Sequence, residues 1–271
     1  MKLMQTYVIN LPAETKRKEV FFDNFNSFDF ININIIQAIK AKKFPINAIE
    51  LYMQNKLEFR YSSKAEIACF KSHQKALRTF LKTKDDFGLI MEDDCMPLES
   101  FPKTLLEIID FCENNAFDIV NLSGYKDRYS LNIHPLTSNS IIRYNYFPPS
   151  AVAYIVSRKC AEQIISFPIL ATYDVLLQFS AICNIEIYHL KHIICKQNPV
   201  FDSCIDKYDT PRKEMSKNKR NRQNKVLYIL GRINQNIYKR YIVFKQNFNK
   251  IGIYESFKGA LYNIGKIVFK L

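Results

Sequence analysis

The segment Phe87-Gly88-Leu89-Ile90-Met91-Glu92-Asp93-Asp94 constrains this chain more than any other, because an apolar strand ends abruptly in three consecutive carboxylates. Adjacent acids repel one another, and none is easily buried unless something positive neutralises it. At the carboxyl end of a strand in an α/β sheet, that partner is usually a bound cation or ligand. Hard oxygen ligands suit Mg²⁺ or Mn²⁺, which in turn suit the phosphates of a nucleotide. If the strand runs on through the acids, Glu92 and Asp94 share one side and Asp93 faces the other. A surface loop of solvated acids is the competing reading of the same tripeptide.

The rest of residues 1–206 alternates strand and helix signals, the pattern of an α/β layer fold. Tyr7 to Leu11 is a short buried-strand run stopped by Pro12, and Ala13 to Asn26 then reads as a helix with Val20, Phe21 and Phe25 as its apolar side. Phe30 to Ile39 alternates Ile with Asn, the period of a half-exposed strand. Ser63-Lys64-Ala65-Glu66 has the form of a capping box and predicts a helix to about Lys82, with Glu66, Phe70, His73 and Leu77 on one face. A further helix is predicted over Phe101 to Asn114, and strands over Asp118 to Leu122, Ala151 to Ser157 and Ile185 to Leu190. Arg158 to Ser166 and Tyr173 to Cys183 read as helices between them.

Charge divides the chain in two. Residues 207–271 carry 16 Lys and Arg against 3 Asp and Glu, whereas residues 1–206 hold 23 of each. The tail therefore holds the whole net charge of +13, which marks a surface that meets something anionic. Within it, Ile229, Ile233, Ile237 and Tyr241 recur every four residues, and Phe257, Leu261, Ile264 and Val268 follow a 3/4 spacing. Amphipathic helices with lysine rims lie well in a membrane interface, and packing onto the enzyme or a second subunit is the alternative. The expected division is a catalytic domain over 1–206 and a basic helical tail over 207–271. The first dozen residues lack the pattern of a signal peptide, and no run of about 18 apolar residues predicts a spanning helix. The seven cysteines are odd in number and without CxxC pairing, which fits buried thiols in a reducing compartment.

Several segments, in order, resemble glycosyltransferase family 25, the bacterial lipopolysaccharide and lipooligosaccharide glycosyltransferases. Tyr7 to Leu11 with Lys16-Arg17-Lys18 is similar to the family's opening strand and basic cluster. Glu66-Ile67-Ala68-Cys69 with Ser72-His73 resembles its helix signature, and Leu89 to Asp94 its acidic strand end. Ala153 to Ser157 with Ala161 is similar to a later strand and helix, and Tyr173-Asp174 falls where the family carries an Asp before a short helix. Ala65 stands where the family usually has Gly, and Ser150-Ala151-Val152 replaces its Gly- or Thr-rich lead-in.

The resemblance implies a GT-A fold, meaning a Rossmann-like domain that binds a nucleotide sugar. It also implies a UDP-galactose or UDP-glucose donor, Mn²⁺ or Mg²⁺, and inversion at the anomeric carbon. Such transfer needs the leaving diphosphate neutralised, a role for a metal on Asp94 with Glu92 as a second ligand or a ribose contact. It also needs a base for the acceptor hydroxyl, for which Asp174 is the candidate, with a plain helix N-cap as the other reading. Donor contacts are expected from Asn10, Arg17, Glu66, Ser72, His73, Glu92 and Asp93. Glu66 is equally explained by the capping box, Asn10 by a turn, and Arg17 by a solvated helix charge. His189 and His192 are candidates for a third metal ligand, against unliganded histidine.

The acceptor expected is a lipid-linked glycan, and the location the inner face of the cytoplasmic membrane, with the tail holding the site near it. Two rivals use the same features: a metal-dependent phosphohydrolase or nuclease, and a nucleic-acid-binding protein gripping phosphates through the tail. No reader domain accompanies the Lys217-to-Lys225 cluster, which weighs against nucleic acid.

Overall fold

A computed structural model describes residues 3–41, 64–124, 130–144, 150–167, 173 and 185–202, together with helical positions between 241 and 262. In chain order the elements are β1 (Met4–Asn10), α1 (Thr15–Phe25), β2 (Ile31–Gln37), α2 (Lys64–Phe80), β3 (Phe87–Glu92) and β4 (Cys95–Pro97). There follow α3 (Phe101–Asn114), β5 (Ile119–Asn121), β6 (Ser130–Pro135), β7 (Ser140–Tyr144), β8 (Ala153–Ser157), α4 (Arg158–Ser166), β9 (Ile187–Leu190) and β10 (Cys195–Gln197).

Eight strands form one mixed sheet in the order β2-β1-β3-β8-β5-β9-β7-β6. Strands β2, β1 and β3 run parallel, and α2 lies on the crossover to β3. Strand β8 then enters antiparallel between β3 and β5. The mixed α/β expectation holds.

The alternation of side chains builds three layers. Tyr7, Ile9, Ile90, Tyr154 and Val156 point to one face and pack on Ile67, Phe70, Leu77 and Phe80 of α2 and Cys160 and Ile164 of α4. Val8, Leu89, Met91, Ala153 and Ile155 point to the other face, against Phe21 and Phe25 of α1 and Phe101, Leu105 and Ile108 of α3. Fully burying each such side chain contributes about 1.5–3 kcal/mol, so this sandwich dominates the stability of the sheet.

Close packing fixes two details near the acidic strand. A Cβ on Gly88 would lie 3.0 Å from Phe80 Cδ2 and 3.2 Å from Tyr7 Cε2, so a side chain there would force those rings to give way by a few tenths of an ångström. The guanidinium of Arg158 donates to the carbonyls of Leu81, Thr83 and Asp85, holding the turn that feeds α2 into β3.

Strand β3 covers the whole apolar run but does not continue through the acids. It closes at Glu92, and Asp93 and Asp94 form a turn into β4, which pairs antiparallel with β10. Glu92 and Asp94 therefore do not share a strand face, since only Glu92 lies on the strand. Strands β4, β6, β7 and β10 carry no clear periodic signal and go beyond the sequence reading. Ser63 of the capping box, the 173–183 helix apart from Tyr173, and residues 203–240 lie outside the described residues. Among the described residues no helix is long and apolar enough to cross a membrane.

Candidate functional site

Parallel strands β1 and β3 deliver their carboxyl ends to a cavity of about 350 Å³, walled on one side by α2 and on another by the acidic turn. Open α/β sheets place ligands at this position. Glu92, Asp93 and Asp94 all line it, so the turn brings together what a continuous strand would have separated.

Helix α1 supplies the positive charge. Arg17, Phe21 and Phe25 are its buried residues and recur every four positions, so the stripe that docks the helix also carries Arg17 inward. The guanidinium Nη1 lies 3.0 Å from Asp93 Oδ1, Nη2 pairs with Asp94 Oδ2, and the group lies over the ring of Phe201. Arg17 is therefore a buried partner of the acids and no solvated helix charge; its side chain is 7% exposed.

Each aspartate has further partners. Asn10 Nδ2 donates to Asp93 Oδ2 at 2.7 Å, and the Asp93 N–H donates to the Ile9 carbonyl. Gln197 Nε2 donates to Asp94 Oδ2 at 2.9 Å from β10. Asp94 Oδ1 is buried and accepts no hydrogen bond among the described residues. Burial pushes Asp93 up to about 7, outweighing the lowering by Arg17 and Asn10. Burial also pushes Asp94 up to about 6, helped by Glu92 and opposed by Arg17 and Gln197. Among the described residues one arginine faces both buried aspartates, and a buried carboxylate oxygen with no hydrogen bond there, Asp94 Oδ1, suits a divalent cation.

Glu92 belongs to a second group. Its Oε1 lies 3.2 Å from His73 Nε2, while His73 Nδ1 lies 3.1 Å from the Tyr154 hydroxyl, itself 2.8 Å from the Tyr173 hydroxyl. The imidazole stacks on the Tyr173 ring at 4.0 Å between centroids. Ser72 lines the cavity too, but its hydroxyl donates to the Ala68 carbonyl and accepts from the Ile39 N–H, tying the end of β2 to α2.

The remaining expectations separate. Asn10 is buried behind Asp93 and does not line the cavity; Glu66 is buried on α2 and does not line it either. Asp174 lies outside the described residues, although its neighbour Tyr173 is buried against His73. His189 is buried in β9 between β5 and β7, edge-on to Tyr144, and His192 also lies off the cavity wall. Sequence reasoning missed Gln197, Tyr154 and the placement of Cys69. The i, i+4 spacing of Cys69 and His73 was a usable signal, whereas Gln197 arrives only through the β4–β10 pairing.

The chain spans 79% of a mutant Drosophila beta-1,4-galactosyltransferase 7 in complex with manganese, UDP-Gal and xylobiose; 79% of this chain is covered, with 11% identity and a TM-score of 0.37. No curated protein sequence matches. The profile described as glycosyltransferase family 25 (LPS biosynthesis protein) matches residues 4–168, a stretch that includes β1, α2, the acidic turn and β8. On that match the chain belongs to glycosyltransferase family 25.

Proposed function

We propose that the protein is an inverting, metal-dependent hexosyltransferase with a GT-A-type catalytic domain over 1–206. It moves galactose or glucose from a UDP-sugar to a lipopolysaccharide or lipooligosaccharide glycan. The observation that carries this reading is the buried acidic turn at the mouth of two parallel strands in a chain of this family.

Asp94 and Glu92 would hold Mn²⁺ or Mg²⁺, which when bound neutralises the diphosphate as it leaves. Asn10 and Gln197 orient the aspartates, and Arg17 supplies a cation to the same carboxylates. Arg17 also lines the cavity, where its guanidinium would pair with a phosphate oxygen of the donor. The apolar wall of Ile9, Leu11, Ala38 and Ile39 excludes water from the reacting bond, and Ser72 and His73 complete the donor side. Asp174 is the base for the acceptor hydroxyl.

The tail is assigned to an anionic membrane surface that carries the acceptor. Its described positions Tyr241, Phe248, Ile253, Tyr254, Phe257 and Leu261 are exposed, while Ser256 is fully buried. An exposed apolar set within a strongly basic segment suits an interface of anionic lipid.

The test is UDP release from a panel of UDP-sugars with Mn²⁺ or EDTA, with and without a truncated glycolipid acceptor. Acceptor-stimulated release with one hexose donor, abolished by EDTA and by Asp94→Asn, is expected. Asp174→Ala should lower turnover without lowering donor affinity. Release that ignores the acceptor would instead mark a phosphohydrolase.

A further inference from the structure

The cavity wall holds a second set of metal-ligating side chains, distinct in chemistry from the aspartates. The Cys69 sulfur, an imidazole nitrogen of His73 and a carboxylate oxygen of Glu92 all lie within 4.8 Å of one another. Cys69 and His73 sit one turn apart on the same face of α2, and Glu92 meets them from the end of β3. All three line the cavity, so a fourth direction opens onto it.

We propose that Cys69, His73 and Glu92 form a binding site for a thiophilic divalent cation of the Zn²⁺ class, with one coordination position open to the cavity. A thiolate and an imidazole favour zinc or cobalt over magnesium or manganese, whose ligands are oxygens. Tetrahedral bonds of about 2.0–2.3 Å put donor atoms about 3.3–3.8 Å apart, so small side-chain rotations close the set. The second shell is already built. Tyr154 and Tyr173 fix the His73 ring by hydrogen bonding and stacking, which aims Nε2 at Glu92.

Coordination takes the thiol proton of Cys69, which leaves to solvent. Any proton on His73 Nε2 also leaves to solvent as the ion binds, while Nδ1 donates to the Tyr154 hydroxyl. Glu92 is then shared between two sites, so zinc should compete with manganese for the protein. That consequence alone rests on the transferase reading; the site itself does not.

The test uses Co²⁺ as a spectroscopic probe on the full-length protein without nucleotide. One equivalent should give a thiolate-to-cobalt charge-transfer band with tetrahedral d–d absorption. Zn²⁺ should displace it, and Cys69→Ser should lose the band. Tyr154→Phe should weaken affinity by about 10–100-fold. Alkylation of Cys69 in the wild-type chain, followed by mass spectrometry, should slow at least tenfold when Zn²⁺ is present. That measurement decides the matter even if the Cys69 variant fails to fold. A spectrum without a thiolate band, a band undiminished in Cys69→Ser, or alkylation indifferent to zinc would each overturn the assignment, whatever the enzyme transfers.

Discussion

Replacing Arg17 by Met tests the electrostatics of the site directly. Methionine keeps an unbranched, buried stem but removes a guanidinium that contacts both Asp93 and Asp94, whose side chains are only 6% and 3% exposed. Stranding buried carboxylates in this way costs about 3–5 kcal/mol. For a domain of this size each kcal/mol moves the melting temperature by about 2–4 °C, so a fall of about 6–20 °C is expected. Manganese should then recover more in the variant than in the wild type, because no arginine competes with it for the same oxygens. At 100 times its dissociation constant a bound ion contributes about 2.7 kcal/mol, enough to restore much of the loss. The assay is thermal unfolding followed by circular dichroism, first in EDTA and then across a Mn²⁺ titration. A variant that melts with the wild type in EDTA, or equal stabilisation of the two by Mn²⁺, would refute the claim that Arg17 and a cation share these carboxylates.

Deleting residues 207–271 should move the protein from vesicles containing anionic lipid to the soluble fraction in flotation assays, with UDP-sugar hydrolysis retained; undiminished flotation would remove the tail from membrane contact. Gly88→Ala should destabilise by about 1–3 kcal/mol in urea denaturation, since the new methyl meets the buried rings of Phe80 and Tyr7 at 3.0–3.3 Å. Burial, helped by the neighbouring Arg143, lowers His189 to about 3 in the fold. The unfolded chain takes up that proton near pH 6.5, so stability is lost as pH falls below 6.5, by about 2 kcal/mol at pH 5. Asp93 and Asp94, whose folded values are raised, push the other way, so the readout is the difference between the wild type and His189→Gln from pH 7.5 to 5. Parallel curves would show that His189 is not held neutral.

What the sequence reveals and what it hides follow from the range of the interactions involved. Helices α3 and α4 are legible to the residue, because each is bounded by local signals and presents a regular apolar stripe. Strand β3 is legible except at its end, where hydrophobic pattern cannot say whether Asp93 continues the ladder or turns. The backbone turns there because β4 must reach β10, a pairing about a hundred residues away that leaves no local trace. The same pairing delivers Gln197 to Asp94, so no reading of either segment alone could join them. Arg17 is the instructive intermediate case. Its neighbours Lys16 and Lys18 make it look like one more surface charge, yet it stands four residues before Phe21 and eight before Phe25. A helix that buries those two rings must bury position 17 as well, and a buried arginine requires an acid. The acidic strand end requires a cation in turn. Each anomaly is ambiguous in isolation, but together they have one economical solution, with α1 packed on the sheet face through Phe21 and Phe25 and its Arg17 set against the acidic turn. Physical demand for a partner therefore carries long-range information that periodicity does not.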